Sequence, residues 1–306
     1  MNNKTNHMEN NIETGLEISA ENGANNGVST SAKSDANSGA KSGENSSAVS
    51  GAKTARIWEI DALRGCAIIL MVFFHLLVDL SDFFGYDIVY YELPWMPVGK
   101  ASAILFMLIS GVSCSLSGSN IRRGIRVFLY GMVVTAATFF FVRELYIRFG
   151  ILHFLGSAMV IWGMTDRLLQ NDRAKRLLLY VSSPSFIILG IFFDRMRVDN
   201  PYLFVFGLIT NTFTTYDYYP LIPWLGVFFV GVAFGLLFYK GRAYTNGVQG
   251  KAQSLFPGTE NRLSKQAAYV LAWLMAMGRR SLLIYILHQP LMLAILFVIH
   301  WFLPGD

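Results

Sequence analysis

Residues 57–80 read Ile57-Trp-Glu-Ile-Asp61-Ala-Leu-Arg64-Gly-Cys-Ala-Ile-Ile-Leu-Met-Val-Phe-Phe-His75-Leu-Leu-Val-Asp79-Leu80. The stretch is long and apolar enough to cross a bilayer, since about 20 mostly apolar residues span roughly 30 Å of hydrocarbon as an α-helix. Lipid leaves a chain only the helix or the closed barrel, and the alternating segments typical of a barrel are absent from this sequence. Residues 57–80 therefore predict a membrane-spanning helix.

Similar segments recur along the chain. Of the 306 residues 53% are hydrophobic and only 15% are charged, with a mean hydropathy of +0.42, which is typical of a membrane protein. We predict an all-α fold, a polytopic transmembrane helix bundle of about seven spans plus short interfacial or re-entrant helices. The spans are placed at 57–80, 97–118, 124–142, 149–166, 176–193, 221–239 and 281–303, and the short elements at 201–211 and 264–277.

The chain divides by composition at about residue 55. Residues 1–55 are rich in Asn, Ser, Gly and Ala, a composition that buries too little apolar surface to offset the entropy of ordering. We therefore predict a disordered polar N-terminal tail at 1–55, followed by a transmembrane domain at 56–306.

The basic residues indicate an orientation. In short loops Lys and Arg accumulate on the cytoplasmic side. Here they gather at 53–56, 122–126, 167–176 and 240–280, whereas the connections at 82–100, 143–148 and 194–217 are mixed or acidic. We expect an integral, multi-pass protein of the plasma (cell) membrane with a cytoplasmic N-terminus and Asp306 outside. Because the net charge of +5 is spread over separate loops, no nucleic-acid partner is predicted.

Ionisable residues form a row on the first predicted helix. At about 100° per residue, Asp61, Arg64, His75 and Asp79 share one face, and Arg64 and His75 lie roughly 16 Å apart along the axis. Such residues inside a membrane cost at least about 2.5–3.5 kcal/mol on insertion scales, so they face a bundle interior and usually have partners. The first helix is therefore the predicted centre of function.

The row divides into two pairs. Asp61 and Arg64 are an i,i+3 pair near the cytoplasmic end, and His75 and Asp79 are an i,i+4 pair near the other end. The second pair resembles a general base with an orienting carboxylate. The first pair is also explained by an interfacial cap with a snorkelling arginine, and His75 by an interhelical hydrogen bond, so both alternatives stay open.

Four further residues are candidates for binding substrate. Arg148 and His153 surround the entrance to the fourth predicted span, where anchoring at the interface is the alternative. Tyr285 and His288 are an i,i+3 pair deep in the last span, beside Pro290, which frees a backbone carbonyl. His288 is therefore either a functional residue or the hydrogen-bond partner of a helix kink.

The run from Asp61 to His75 resembles the first-helix signature of the membrane acyltransferases related to the catalytic domain of heparan-alpha-glucosaminide N-acetyltransferase, in particular the bacterial-type branch. Its spacing of Arg64 and His75 is also similar to that of the wider acyltransferase-3 group. Three more segments match in the same order, and together they cover essentially all of 56–306. They are Arg148-Phe-Gly-Ile-Leu-His153-Phe-Leu-Gly, Tyr219-Pro-Leu-Ile-Pro-Trp-Leu-Gly226 and Gly278-Arg-Arg-Ser-Leu-Leu-Ile-Tyr285-Ile-Leu-His288.

The resemblance implies transfer of an acetyl group from cytosolic acetyl-CoA to an amine or hydroxyl of a glycan or glycolipid. Arg64, with Asp61, would then bind the CoA phosphate, and His75 would act as the base with Asp79 orienting it. The chain departs from the heparan enzyme in having no histidine at 85–91, the segment where that enzyme carries its catalytic histidine. Direct transfer is therefore preferred, although a covalent intermediate stays open.

Two other classes of protein compete with the enzyme. A transporter or carrier would use the ionisable row as a substrate or proton pathway, but its hallmark of inverted repeats is not evident in this sequence. A scaffold with buried polar pairs would be indifferent to loss of His75 or Arg64. Membrane lipid is an expected partner, no metal site is predicted, and association into a homo-oligomer is left open.

Overall fold

The computed structural model of the protein describes residues 57–239 and 262–302. The predicted disordered tail at 1–55 lies outside these residues. Within them, helices follow one another along the chain, and the connection between α5 and α6 also holds a short 3₁₀ helix. Their bounds are α1 Trp58–Phe84, α2 Met96–Ser115, α3 Asn120–Phe141, α4 Ile151–Leu168, α5 Asp172–Asp194, α6 Leu221–Phe238, α7 Arg262–Arg279 and α8 Ser281–Phe302.

Local chemistry sets several helix ends. α1 stops at Gly85, whose φ of 72° is the left-handed conformation that ends many helices, and its N–H bonds to the carbonyl of Leu80. α5 starts where the side chain of Asn171 accepts the N–H of Arg173. The first helix thus extends one turn beyond the predicted limit at residue 80.

Among the described residues, six helices are long and apolar enough to cross a membrane, namely α1, α2, α3, α5, α6 and α8. The predicted span at 149–166 corresponds to α4, which is not one of them because its last turn carries Asp166 and Arg167. α4 is nevertheless a central helix, since Phe154, Ala158 and Trp162 on it are almost fully buried. The all-α transmembrane bundle is confirmed.

The helices alternate in direction. α2 is antiparallel to α1, because Ser102 bonds to the carbonyl of Ala67 at 3.0 Å while Gly99, earlier in α2, meets Phe74, later in α1. The same crossed order holds for two other consecutive pairs. Gly131 of α3 meets His153 of α4 and Gly163 meets Ile121, while Gly190 of α5 meets Pro223 of α6 and Gly226 meets Ser183.

Two further contacts relate these pairs to one another. α6 is parallel to α2, since Gly111 meets Phe228 and Gly235 meets Ser115. α4 begins at the same end as α6, where the N–H of Tyr219 bonds to the carbonyl of Phe149 at 3.0 Å. Helices α1 to α6 therefore run alternately up and down, with glycine and serine at the closest approaches, as is common between membrane helices.

The last helix is parallel to the first. The rings of His75 and His288 are 4.9 Å apart, and farther along the same pair those of Phe84 and Phe297 are 5.1 Å apart. α8 therefore begins near the start of α1, and α1–α6 with α8 have the directions expected of a seven-pass bundle.

The predicted short element at 264–277, interfacial or re-entrant, is helical. It belongs to α7, an 18-residue helix that packs against α1 in the antiparallel sense, with Leu274 against Gly65 and Gly278 against Asp61. Packing along α1 favours the re-entrant alternative over the interfacial one, and Gly65 and Gly278 allow the two backbones to approach closely. The other short element, 201–211, is a 3₁₀ helix at Pro201–Phe206 followed by Gly207, at φ 104°.

Candidate functional site

The starting end of α1 carries an ion pair. The Nη1 atom of Arg64 lies 3.3 Å from Oδ1 of Asp61, so the predicted i,i+3 pair is confirmed. The Nη2 atom of Arg64 donates to the hydroxyl of Ser113 on α2. The guanidinium is therefore held in one direction by two partners, one of them on a neighbouring helix.

Arg64 lines a cavity of about 440 Å³, a size typical of small-molecule sites. Helices α1, α2, α3, α4, α7 and α8 all contribute to it. The polar lining residues are Arg64, Ser110, Arg123, Arg126, Tyr130, Arg279, Ser281 and Tyr285. Phe106, Val127, Leu155 and Met159 are among the apolar ones. The cavity is therefore lined by guanidinium groups together with apolar side chains.

Three of these arginines were not singled out as site residues from the sequence. The sequence indicates Arg123, Arg126 and Arg279 only as loop charges that report orientation. Within 57–239 and 262–302 none of the three forms an ion pair with a carboxylate, so their charge is not neutralised by a described partner. The i,i+3 spacing of Arg123 and Arg126 on one helix face is the signal that could have indicated them.

The geometry of His75 fixes its tautomer. Its Nδ1 atom lies 2.9 Å from the carbonyl oxygen of Met71. A carbonyl only accepts hydrogen bonds, so Nδ1 carries the hydrogen and, in the neutral ring, Nε2 has the free lone pair. His75 is therefore arranged to take a proton at Nε2.

His288 repeats this arrangement on α8. Its Nδ1 atom lies 2.7 Å from the carbonyl oxygen of Tyr285, so its Nε2 is likewise the basic atom. The ring is 4.9 Å from that of His75 and 5.6 Å from that of Tyr285. Because Tyr285 also lines the cavity, a continuous row of side chains leads from the cavity to both imidazoles.

The predicted pairing of His75 with Asp79 is wrong in this structure. Asp79 is 0% exposed, and its Oδ1 accepts a hydrogen bond of 2.6 Å from Nε2 of Gln289 on α8. The i,i+4 spacing does place both side chains on one face, but the Nδ1 hydrogen of His75 goes to its own helix. Asp79 therefore has a partner that the sequence analysis did not consider.

His153 and Arg148 do not line the cavity. His153 is 2% exposed, packs between Phe128 and Phe149, and lies 3.2 Å from the hydroxyl of Thr135. Its contacts are those of an interhelical hydrogen bond, which is neither the predicted substrate contact nor the interfacial anchoring given as its alternative. Arg148 stacks on two rings, with its Cζ atom 5.1 Å from the centre of Tyr146 and 5.3 Å from that of Phe213. We leave both residues out of the proposed site.

Asp217 has a structural role that the sequence analysis missed. Its Oδ2 accepts the N–H of Ile151 at 3.1 Å, at the start of α4, where an acidic group is favoured. Burial raises the pKa of this carboxyl to about 6, although hydrogen bonds from the N–H groups of Ile151 and Tyr218 act in the opposite direction. The acidic residue just before Tyr218-Tyr-Pro220 was the available signal.

The raised pKa of Asp217 predicts a pH-dependent stability. Between about pH 4 and about pH 6 the folded state binds this proton more tightly than the unfolded state, so stability is highest below pH 4 and falls as the pH rises. We expect the melting temperature in detergent to lose a few degrees across this interval relative to Asp217→Asn. Asp199→Asn, at an exposed loop position, is the control. If the difference in melting temperature between wild type and Asp217→Asn stays constant from about pH 4 to about pH 6, the raised pKa of Asp217 is contradicted.

These features define a class of protein: a polytopic helical membrane protein whose arginine-lined cavity suits an anion and leads to a pair of basic imidazoles. Comparison with known families then identifies the family. The family model described as heparan-alpha-glucosaminide N-acetyltransferase, catalytic, matches residues 56–290, so the chain belongs to this family of membrane acetyltransferases. The match confirms the resemblance found in the sequence. Comparison with curated proteins and with solved structures found no match.

Proposed function

We propose that the protein transfers an acetyl group from acetyl-CoA to an amine or hydroxyl of a glycan or glycolipid. The proposal depends on one cavity, whose lining includes Arg64, Arg123, Arg126, Arg279 and Tyr285. The ring of Tyr285 contacts that of His288, and the ring of His288 contacts that of His75. In a plasma membrane, the distribution of Lys and Arg among the loops favours a cytoplasmic position for the end of the bundle that carries these arginines.

The cavity fits a donor that carries phosphates on an extended chain. Guanidinium groups bind phosphate oxygens through paired hydrogen bonds, and Arg123, Arg126 and Arg279 have no described carboxylate partner to compete. Arg64 is already bonded to Asp61 and Ser113, so it supplies a fixed charge rather than a mobile side chain. Phe106, Val127 and Met159 offer apolar contact to the remainder of the donor.

The imidazoles supply the base. Nε2 of His75 accepts the proton of the acceptor amine or hydroxyl. At the same time the nitrogen or oxygen of the acceptor attacks the carbonyl carbon of the thioester. The carbon–sulfur bond then breaks, and CoA leaves with the electron pair as a thiolate, which is subsequently protonated. The carbonyl of Met71 holds the ring in the tautomer that this step requires. Direct transfer needs no histidine at 85–91.

The proposal is tested by mixing the purified protein in detergent with labelled acetyl-CoA and a panel of amino sugars, neutral sugars and glycolipids. Label transferred to a panel member in a protein-dependent way supports the proposal. No binding of acetyl-CoA and no transfer to any acceptor would contradict it. Dephospho-CoA measures how much of the binding depends on the terminal phosphate.

A further inference from the structure

Asp79 lies at an unusual position for a carboxylate. Its side chain is wholly buried between α1 and α8, and one oxygen, Oδ1, is bonded to Gln289. Among the described residues the other oxygen, Oδ2, has no hydrogen-bond partner. A buried polar atom left unpaired costs about 1–3 kcal/mol, so native proteins rarely leave one without a reason.

Two atoms on adjacent residues of α8 share this condition. Within 57–239 and 262–302, Oε1 of Gln289 and Nε2 of His288 are also buried without a partner. Because Nδ1 of His288 donates to Tyr285, its Nε2 has a lone pair in the neutral ring. All three unpaired atoms are therefore hydrogen-bond acceptors, and the group that completes this cluster has to bring hydrogen-bond donors.

The cluster is separate from the arginine-lined cavity, whose lining contains none of Asp79, His288 and Gln289. Along α1, Asp79 is about 22 Å of helical rise from Arg64. One turn beyond Asp79, the exposed Asp82 accepts a hydrogen bond of 3.3 Å from Tyr90 in the α1–α2 connection. The cluster thus lies toward the end of α1 opposite the arginines.

We propose that Asp79, His288 and Gln289 form an acceptor seat, which binds the amino or hydroxyl group that is to be acetylated and holds it beside His75. This inference rests on the proposed function and deepens it by assigning the acceptor to residues. Gln289 fixes Oδ1 of Asp79, so that Oδ2 remains for the ligand. Because the seat offers only lone pairs, it takes N–H and O–H groups and rejects a carboxylate or phosphate.

Glucosamine is a suitable probe because it carries both amino and hydroxyl hydrogens. We expect it to raise the melting temperature of the wild-type protein in detergent with a saturable dose dependence, without acetyl-CoA present. In Asp79→Asn the amide oxygen keeps the bond to Gln289 and the NH₂ group replaces Oδ2, which converts an acceptor into a donor. The apparent Kd for glucosamine should rise at least about tenfold, which corresponds to about 1.4 kcal/mol.

Asp79→Asn keeps the bond to Gln289 and so protects the test against a folding defect, and a second variant tests the contribution of α8. Gln289→Leu removes both the bond to Asp79 and the unpaired Oε1, and we expect a similar loss of the glucosamine response. Gln170→Leu is the matched control, since Gln170 is exposed and bonds to Arg167 away from the seat. The proposed acceptor seat would be overturned if glucosamine did not raise the melting temperature of the wild type, or if it raised that of Gln289→Leu equally. Because acetyl-CoA is absent, this failure is distinguishable from failure of the proposed function.

Discussion

Replacing His75 with alanine should lower the rate of acetyl transfer by about 10²–10⁴-fold, the contribution typical of a general base. The affinity for acetyl-CoA should be unchanged, because His75 does not line the arginine-lined cavity. Both quantities can be measured on the same detergent preparation, by label transfer and by equilibrium binding. A loss that falls on kcat with the donor affinity retained is what a base remote from the donor phosphates produces.

His300→Ala is the matched control for this variant. His300 is also on α8 and also contacts an aromatic ring, that of Phe84 at 5.4 Å, but it is exposed and distant from the cavity lining. Transfer by His300→Ala should equal wild type. Unchanged transfer in His75→Ala would mean that another group takes the proton, and would favour the scaffold that the sequence left open.

The second large effect concerns the donor. Arg123→Gln and Arg126→Gln should each weaken acetyl-CoA binding about tenfold or more, because a hydrogen bond to a charged group contributes about 1.5–3 kcal/mol. The same variants should reduce the dependence of binding on salt concentration, since fewer charges meet the phosphates. Equilibrium binding at two salt concentrations measures both effects.

Arg122 provides the control within the same helix turn. It is exposed and does not line the cavity, although it carries the same charge as its neighbours. Arg122→Gln should therefore leave acetyl-CoA binding within about twofold of wild type. Equal weakening by all three substitutions would indicate a diffuse electrostatic attraction instead of a phosphate site.

The first helix could be predicted well because its information is local. Length and hydropathy place α1, and the helical period puts Asp61 beside Arg64, where the structure has an ion pair. The same period places His75 and Asp79 on one face but does not determine their partners. Asp79 bonds to Gln289, which is 210 residues away along the chain, and no local sequence pattern predicts such a contact.

The cavity shows a second limit of sequence reasoning. Loop arginines accumulate on the cytoplasmic side for topological reasons, so Arg123, Arg126 and Arg279 were indistinguishable from their neighbours in the sequence. Only the packing of α3 against α4 and of α7 against α1 brings them to one cavity. His153 is the opposite error, a residue that the sequence predicts in the site and the structure places outside it. Gly131 lets α3 approach closely enough to bury its imidazole among aromatic rings.

The proposed donor and acceptor sites lie at opposite ends of α1. The most direct test uses sealed vesicles with the arginine end facing outward, glucosamine enclosed and labelled acetyl-CoA added outside. We expect labelled N-acetylglucosamine to accumulate inside, and we expect no accumulation in His75→Ala vesicles of equal protein content. Product formed only when glucosamine and acetyl-CoA are on the same side would contradict binding at opposite ends of α1.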